Sequence, residues 1–211
     1  MEKIIELANQ IKDENLRKKV IEFIKNPTLS HKDFKKYPRT EMKDVKTLFS
    51  VGRVTAERDL LNHTITVTET CIAIADILQK NYGIPINKDY LIAGSLLHDI
   101  MKMFEWKSQG EEVEHSGITL DHSLLAVAEF YHRGFPEQVI HMIASHLQGE
   151  SGPTPPRNFE ALILYYVDTL LSLTEFHWNV INKPKPKYPV ILLDEETIKK
   201  LGEKTEEREE K

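Results

Sequence analysis

The apolar positions of this chain recur mostly at helical spacing. Ile4, Ile5, Ala8 and Ile11 share one face of a first stretch. Leu16, Val20, Phe23 and Ile24 share one face of a second, which stops at Asn26-Pro27. Residues 30–40 are polar and irregular and read as a loop. The longest pattern predicts a helix over 55–80, ended by Asn81-Tyr82-Gly83 with Pro85 just beyond. Asn87 is placed to cap the next helix, whose apolar run Leu91, Ile92, Ala93, Leu96 and Leu97 leads into His98-Asp99. Residues 103–120 are charged, carry Gly110 and Gly117, and read as a flap with little regular structure. Asp121 caps a predicted helix through His132, and Pro136 opens one through His146. Residues 149–158, with three prolines, form a loop, and a last helix runs over 159–176. A short strand is expected over 188–193, followed by a charged tail that frays.

These elements predict an all-α fold, a compact helical bundle. An N-terminal helical arm is expected over 1–45, the main domain over 46–180, and a C-terminal extension and tail over 181–211. With 211 residues and 40% hydrophobic content, the chain can bury a sizeable core as one domain. No apolar run is long enough to span a bilayer, and the acidic N-terminus lacks the apolar region of a signal peptide. The single cysteine, Cys71, forms no internal disulfide, so a cytoplasmic setting is expected. The net charge is −5, and no basic cluster suited to general nucleic-acid binding is present. Lys183, Lys185 and Lys187 alternate with prolines and read as a stiff, solvated connector. The amphipathic arm is expected to offer a homodimer contact.

Candidate chemistry appears where polar residues interrupt apolar faces. His98 and Asp99 end a buried-looking helix, where an imidazole and a carboxylate are costly unless something pairs with them. A divalent cation is the obvious partner. His63 points to the core side of its helix, with Val67, Thr70, Cys71 and Ile74 following on roughly that face. Taken alone, such a histidine reads more readily as a hydrogen-bonded core residue than as a ligand. Asp168 interrupts the run Leu162 to Leu171 and must be paired, either with a basic side chain or with a metal. His122 reads equally as a surface histidine at a helix start, and His146 as one suited to a helix C-terminus.

The order His63…His98-Asp99…His122…His146…Asp168 resembles the HD superfamily of metal-dependent phosphohydrolases, in its two-metal subset. The segment His146-Leu147-Gln148-Gly149-Glu150, then Pro155-Pro156 and Glu160-Ala161-Leu162, is similar to the HD domain of bacterial exoribonucleases and of archaeal pterin cyclic-phosphate phosphodiesterases. The resemblance implies one metal on His63, His98, Asp99 and Asp168. It implies a second on His122 and His146, bridged by Asp99. Imidazole and carboxylate ligands suit Fe²⁺ or Mn²⁺, with Co²⁺, Ni²⁺ and Zn²⁺ also accommodated. Two such cations activate a water and draw charge from the phosphoryl oxygens. Asp99 and Lys102 are then the catalytic pair to examine, with Met101 standing where the family commonly has glycine. Lys102, Arg157 and Arg58 are candidates to hold phosphate, and Trp106 and Phe104 to stack on a ring. The expected substrate is a small phosphate ester, a cyclic phosphodiester ahead of a nucleotide monoester. A 3′-exoribonuclease and a metal-shaped ligand-binding module stand further behind.

Overall fold

The computed structural model describes residues 1–51, 54–109, 112–147 and 154–182. Helices dominate: α1 (Glu2–Ala8), α2 (Glu14–Lys25), α3 (Leu60–Tyr82), α4 (Lys88–Leu97), α5 (Lys102–Glu105), α6 (His122–His132), α7 (Glu137–Ala144) and α8 (Phe159–Asn182). Two antiparallel hairpins interrupt them, β1 (Lys46–Val51) with β2 (Val54–Asp59), and β3 (Trp106–Gln109) with β4 (Glu112–His115).

The helix ends follow local chemistry. Asp13, Asp59, Asn87 and Asp121 each accept backbone N–H groups of the helix they open. Gly83 ends α3 at φ +68°, in the left-handed conformation that a residue without Cβ adopts freely. The helix predicted to begin at residue 55 begins at Leu60 instead. Ala56 and Arg58 are buried while Thr55 and Glu57 are half-buried, an alternation with the period of a strand. Asp59 pairs with Lys46 at the end of that ladder and caps α3 at the same time. The flap expected over 103–120 is also more regular than predicted, holding most of α5 and both strands β3 and β4. The strand expected over 188–193 and the tail lie outside the described residues.

Helix α4 is the axis of the molecule. Leu91 through Leu97 are all buried, with Ile92, Leu96 and Leu97 in one core cluster and Leu91 in another. The first cluster joins α4 to α6 and to the N-terminal helices, and the second joins it to α3, α7 and α8. Ile4, Leu7, Ile11, Leu16, Val20 and Phe23 all belong to the first cluster. Phe23 meets Phe130 of α6 edge-to-face at 4.9 Å. The backbone N–H groups of Lys12 and Asp13 donate to Asp89 at the start of α4. The apolar face expected to serve as a homodimer contact is therefore buried within the same chain. No helix among the described residues is long and apolar enough to cross a membrane.

Candidate metal centre

The fold delivers helix ends to one point. His63 lies in the first turn of α3, His122 opens α6, and Asp168 lies in α8. His98 and Asp99 directly follow α4, and His146 follows α7 by two residues. His63, His98, Asp99, His122 and His146 are all buried, Asp99 to 1% exposure.

Three of the four imidazoles are held by their Nδ1 atoms, and His122 Nδ1 faces carboxylates without a hydrogen bond among the described residues. His98 Nδ1 donates to the Ser95 carbonyl at 2.7 Å, and His146 Nδ1 to the Ile143 carbonyl at 2.6 Å. His63 Nδ1 faces the Glu175 carboxylate at 3.1 and 3.2 Å. His122 Nδ1 lies 3.3 Å from Glu105 and 3.2 Å from Asp121. Where a carbonyl or carboxylate fixes the proton on Nδ1, as at His63, His98 and His146, Nε2 keeps a lone pair. All four Nε2 atoms turn toward Asp99. Its Oδ2 lies 3.7 Å from His63 and 3.5 Å from His98. Its Oδ1 lies 3.2 Å from His122 and 3.6 Å from His146. Asp168 Oδ1 closes the first group, 3.0 Å from His63 Nε2 and 4.0 Å from His98 Nε2.

Arg58 and Lys102 donate to Asp99 and Ser172 to Asp168, and the imidazole Nε2 acceptors converge beside them with few donors. His98 Nε2 is buried with no hydrogen-bond partner among the described residues, and His122 Nε2 faces His146 Nε2 at 3.4 Å. Such a set is poorly satisfied by itself and well satisfied by divalent cations. Two trios have ligand atoms within 4.8 Å of one another: His63 with His98 and Asp99, and Asp99 with His122 and His146. A third, Glu105 with Asp121 and His122, lies on the outer side of His122.

The electrostatics favour the ligating form at His98, Asp99 and Asp168, and the proton-bound form at His63 and His122. Burial pushes the His98 imidazole down to about 3, so it stays neutral and ready to ligate. Burial opposes the charge on Asp99, but Lys102 and the surrounding histidines hold its carboxyl well below the usual range. Burial likewise disfavours the Asp168 carboxylate, and the His63 hydrogen bond with the histidine charges overrides it and drives the pKa down. For His63, burial and Arg58 push downward, and the bonds to Asp168 and Glu175 outweigh them to leave a raised pKa. For His122, burial and Lys102 are outweighed in the same way by Asp99 and Glu105.

The basic candidates separate. Lys102 Nζ donates to Asp99 Oδ2 at 2.8 Å, so an acid partner does stand beside it. Arg58 is buried, donating to Asp99 at 3.2 Å and to Ser172 at 2.9 Å, with its guanidinium over the Phe49 ring. It lies on strand β2 rather than in the helix of His63. Arg157 is exposed, and its described contact is a backbone N–H to His141 Nε2 at 3.0 Å. That contact ties its backbone to α7. Trp106 stands edge-to-face on His115 at 5.6 Å, and Phe104 is buried in the first core cluster, where no ring can stack on it. Glu175 and Glu105 were not found from the sequence. Glu175 is two helical turns beyond Asp168, so the same-face spacing was its signal. Glu105 lies in the segment read as a flap and gave none.

Fold and centre together define a metal-dependent phosphohydrolase. The HD domain family model matches residues 60–173, and the chain belongs to that family. It is 45% identical over 178 residues to the dihydroneopterin 2′,3′-cyclic phosphate phosphodiesterase of Methanocaldococcus jannaschii, covering 80% of this chain and 67% of that protein. It is 30% identical over 138 residues to the 3′-5′ exoribonuclease YhaM of a Geobacillus species, covering 60% of this chain and 41% of that one. No solved structure matches it.

Proposed function

We propose that this chain hydrolyses a small phosphodiester, a cyclic phosphate on a pterin or nucleotide, at a centre holding two divalent transition-metal ions. The observation that carries the reading is the division of Asp99, one oxygen toward His63 and His98 and the other toward His122 and His146. A carboxylate so placed suits a bridge between two cations. His63, His98, Asp99 and Asp168 would hold one ion, and Asp99, His122 and His146 the other. Nitrogen and oxygen ligands without thiolate favour Fe²⁺ or Mn²⁺, with Co²⁺, Ni²⁺ and Zn²⁺ as alternatives. Bound there, such ions supply an acidified water and neutralise charge building on phosphoryl oxygens.

The chain's own groups do the rest. Glu175 and the Ser95 and Ile143 carbonyls keep the imidazoles in the ligating tautomer and orientation. Lys102 sits 12% exposed at the edge of Asp99, where its ammonium can hold a nonbridging phosphate oxygen as a point charge. Arg58 is better read as a clamp, because its contacts run to Asp99, Ser172 and Phe49 inside the fold. The similarity to a cyclic-phosphate phosphodiesterase covers most of the chain and favours a small diester over RNA. The one cysteine is buried and free, in keeping with a cytoplasmic enzyme.

The deciding comparison is specific activity, with Mn²⁺ or Fe²⁺ supplied, on pterin or nucleoside cyclic phosphates, nucleoside monophosphates and short RNA. Cyclic phosphates should be opened fastest. Faster phosphate release from monophosphates replaces this reading with a nucleotidase, and processive loss of RNA from one end replaces it with an exoribonuclease.

A further inference from the structure

The outer face of α8 departs from the rest of the molecule. Charged residues make up 29% of the chain, yet the 24 residues of α8 include only Glu160, Asp168 and Glu175. Glu160 is buried and bonded to the Asn87 N–H, and the other two face the metal centre. The exposed side is left without a charge. It carries Phe159, Leu162, Tyr166, Leu170, Leu173 and Val180, each between 40% and 62% exposed. With His177 added, the spacing from residue 159 to 180 averages the 3.5 residues of a helix–helix seam. On a helix these positions fall in one narrow stripe, about 32 Å long at 1.5 Å per residue.

We infer that α8 pairs with α8 of a second copy of this chain, antiparallel, about a two-fold axis between positions 169 and 170. The spacing supplies the argument for this occupant. Phe159 and Val180 lie equally far from that midpoint, as do Leu162 and His177, and Tyr166 and Leu173. Leu170 lies beside the axis. An antiparallel two-fold places each member of a pair opposite the other, so the stripe is complementary to itself, as an isologous interface requires. Half-exposed side chains of this size offer roughly 500 Å² of apolar surface per copy, judged from the area large side chains bury. Two copies then bury up to about 1,000 Å² before any polar rim is counted, which reaches the threshold for a biological interface. A stripe of that extent is as large as the largest apolar patch of a typical monomer, a patch that commonly serves binding.

Sedimentation of the full chain at micromolar concentration tests the pairing. The expected species is a dimer, twice 24.4 kDa. The double variant Tyr166→Glu/Leu170→Glu should sediment as a monomer with an unchanged circular-dichroism spectrum. Cysteine cross-linking reports the geometry, because the native Cys71 is buried and silent. Leu170→Cys should form an intermolecular disulfide on mild oxidation, and Lys18→Cys on the outer face of α2 should not. Phe159→Cys should cross-link with Val180→Cys in a mixture, and neither with itself. A monomeric full chain, including one whose own C-terminal segment covers the stripe, overturns the inference. So does a dimer that survives both glutamates, or one in which Leu170→Cys stays reduced.

Discussion

Asp99 sits at 1% exposure within reach of two cationic side chains and four imidazoles, and this residue sets what its neighbours do. Lys102 is one of them, and its contact with Asp99 gives it a structural share as well as a place near phosphate. Lys102→Ala should therefore slow turnover on the order of 10²-fold, as for loss of one preorganised contact. The metal-free protein should also lose stability on the order of 1–3 kcal/mol, because a buried acceptor loses a charged donor. An unchanged melting temperature without metal would remove the structural share. His98 makes a pH prediction. In the folded chain it stays neutral down to about 3, whereas unfolded it takes a proton below about 6.5. Between those values the unfolded state binds more protons, so the stability His98 confers is complete above pH 6.5 and falls as the pH falls. For metal-free protein, the stability difference between wild type and His98→Gln should shrink by up to about 1.4 kcal/mol per pH unit over that window. A difference that is flat with pH, measured by denaturant titration, would show that His98 is not held neutral.

At the scale of elements, the centre is made from helix ends, and most of those ends were legible. Asn87, Asp121 and Gly83 mark their boundaries through side-chain oxygens and backbone freedom that act within a few residues. Hairpins were not legible. The Ala56–Arg58 alternation is short, and one of its two inward residues is an arginine whose burial depends on Asp99, far away in sequence. Glu105 was missed for the same reason, since only the packing of α5 against α6 brings it to His122. Helix packing also explains one glycine. A Cβ on Gly94 of α4 would lie 2.5 Å from the tip of Met142 on α7 and 3.1 Å from its Cβ. The methionine tip can swing aside, but its Cβ cannot move without α7. Gly94→Ala should thus be mildly destabilising, and Gly94→Val should cost about 1–3 kcal/mol by overpacking. Because α4 carries His98-Asp99 and α7 leads to His146, Gly94→Val should also weaken metal binding. Full metal affinity in a destabilised Gly94→Val protein would show that the α4–α7 spacing does not set the centre.

Across the whole molecule, the six ligand candidates come from α3, α6 and α8 and from the ends of α4 and α7. Hydrophobic packing holds these elements together on the outside, through the two core clusters that meet at α4. On the inside the same elements present acceptors to one another, including His98 Nε2, which has no partner among the described residues, and the facing pair His122 and His146. Cations bound there replace an unsatisfied interior with bonds that tie five elements, so folding and metal binding should be linked. For a ligand that binds only the folded state, one site at a hundredfold excess over its Kd adds about 2.7 kcal/mol. In a chain of this length each kcal/mol raises the melting temperature by roughly 2–4 °C. Adding Mn²⁺ to chelator-stripped protein should therefore raise its melting temperature by about 5–10 °C for one site and more for two. His122→Ala removes a ligand of one group and leaves His63, His98 and Asp168 in place. It should keep part of the shift, bind about one metal equivalent fewer, and lose most activity. Scanning calorimetry with metal analysis of the same samples decides the matter. A wild-type melting temperature indifferent to every divalent ion would break the link between folding and metal, and two equivalents retained by His122→Ala would rule out the second site.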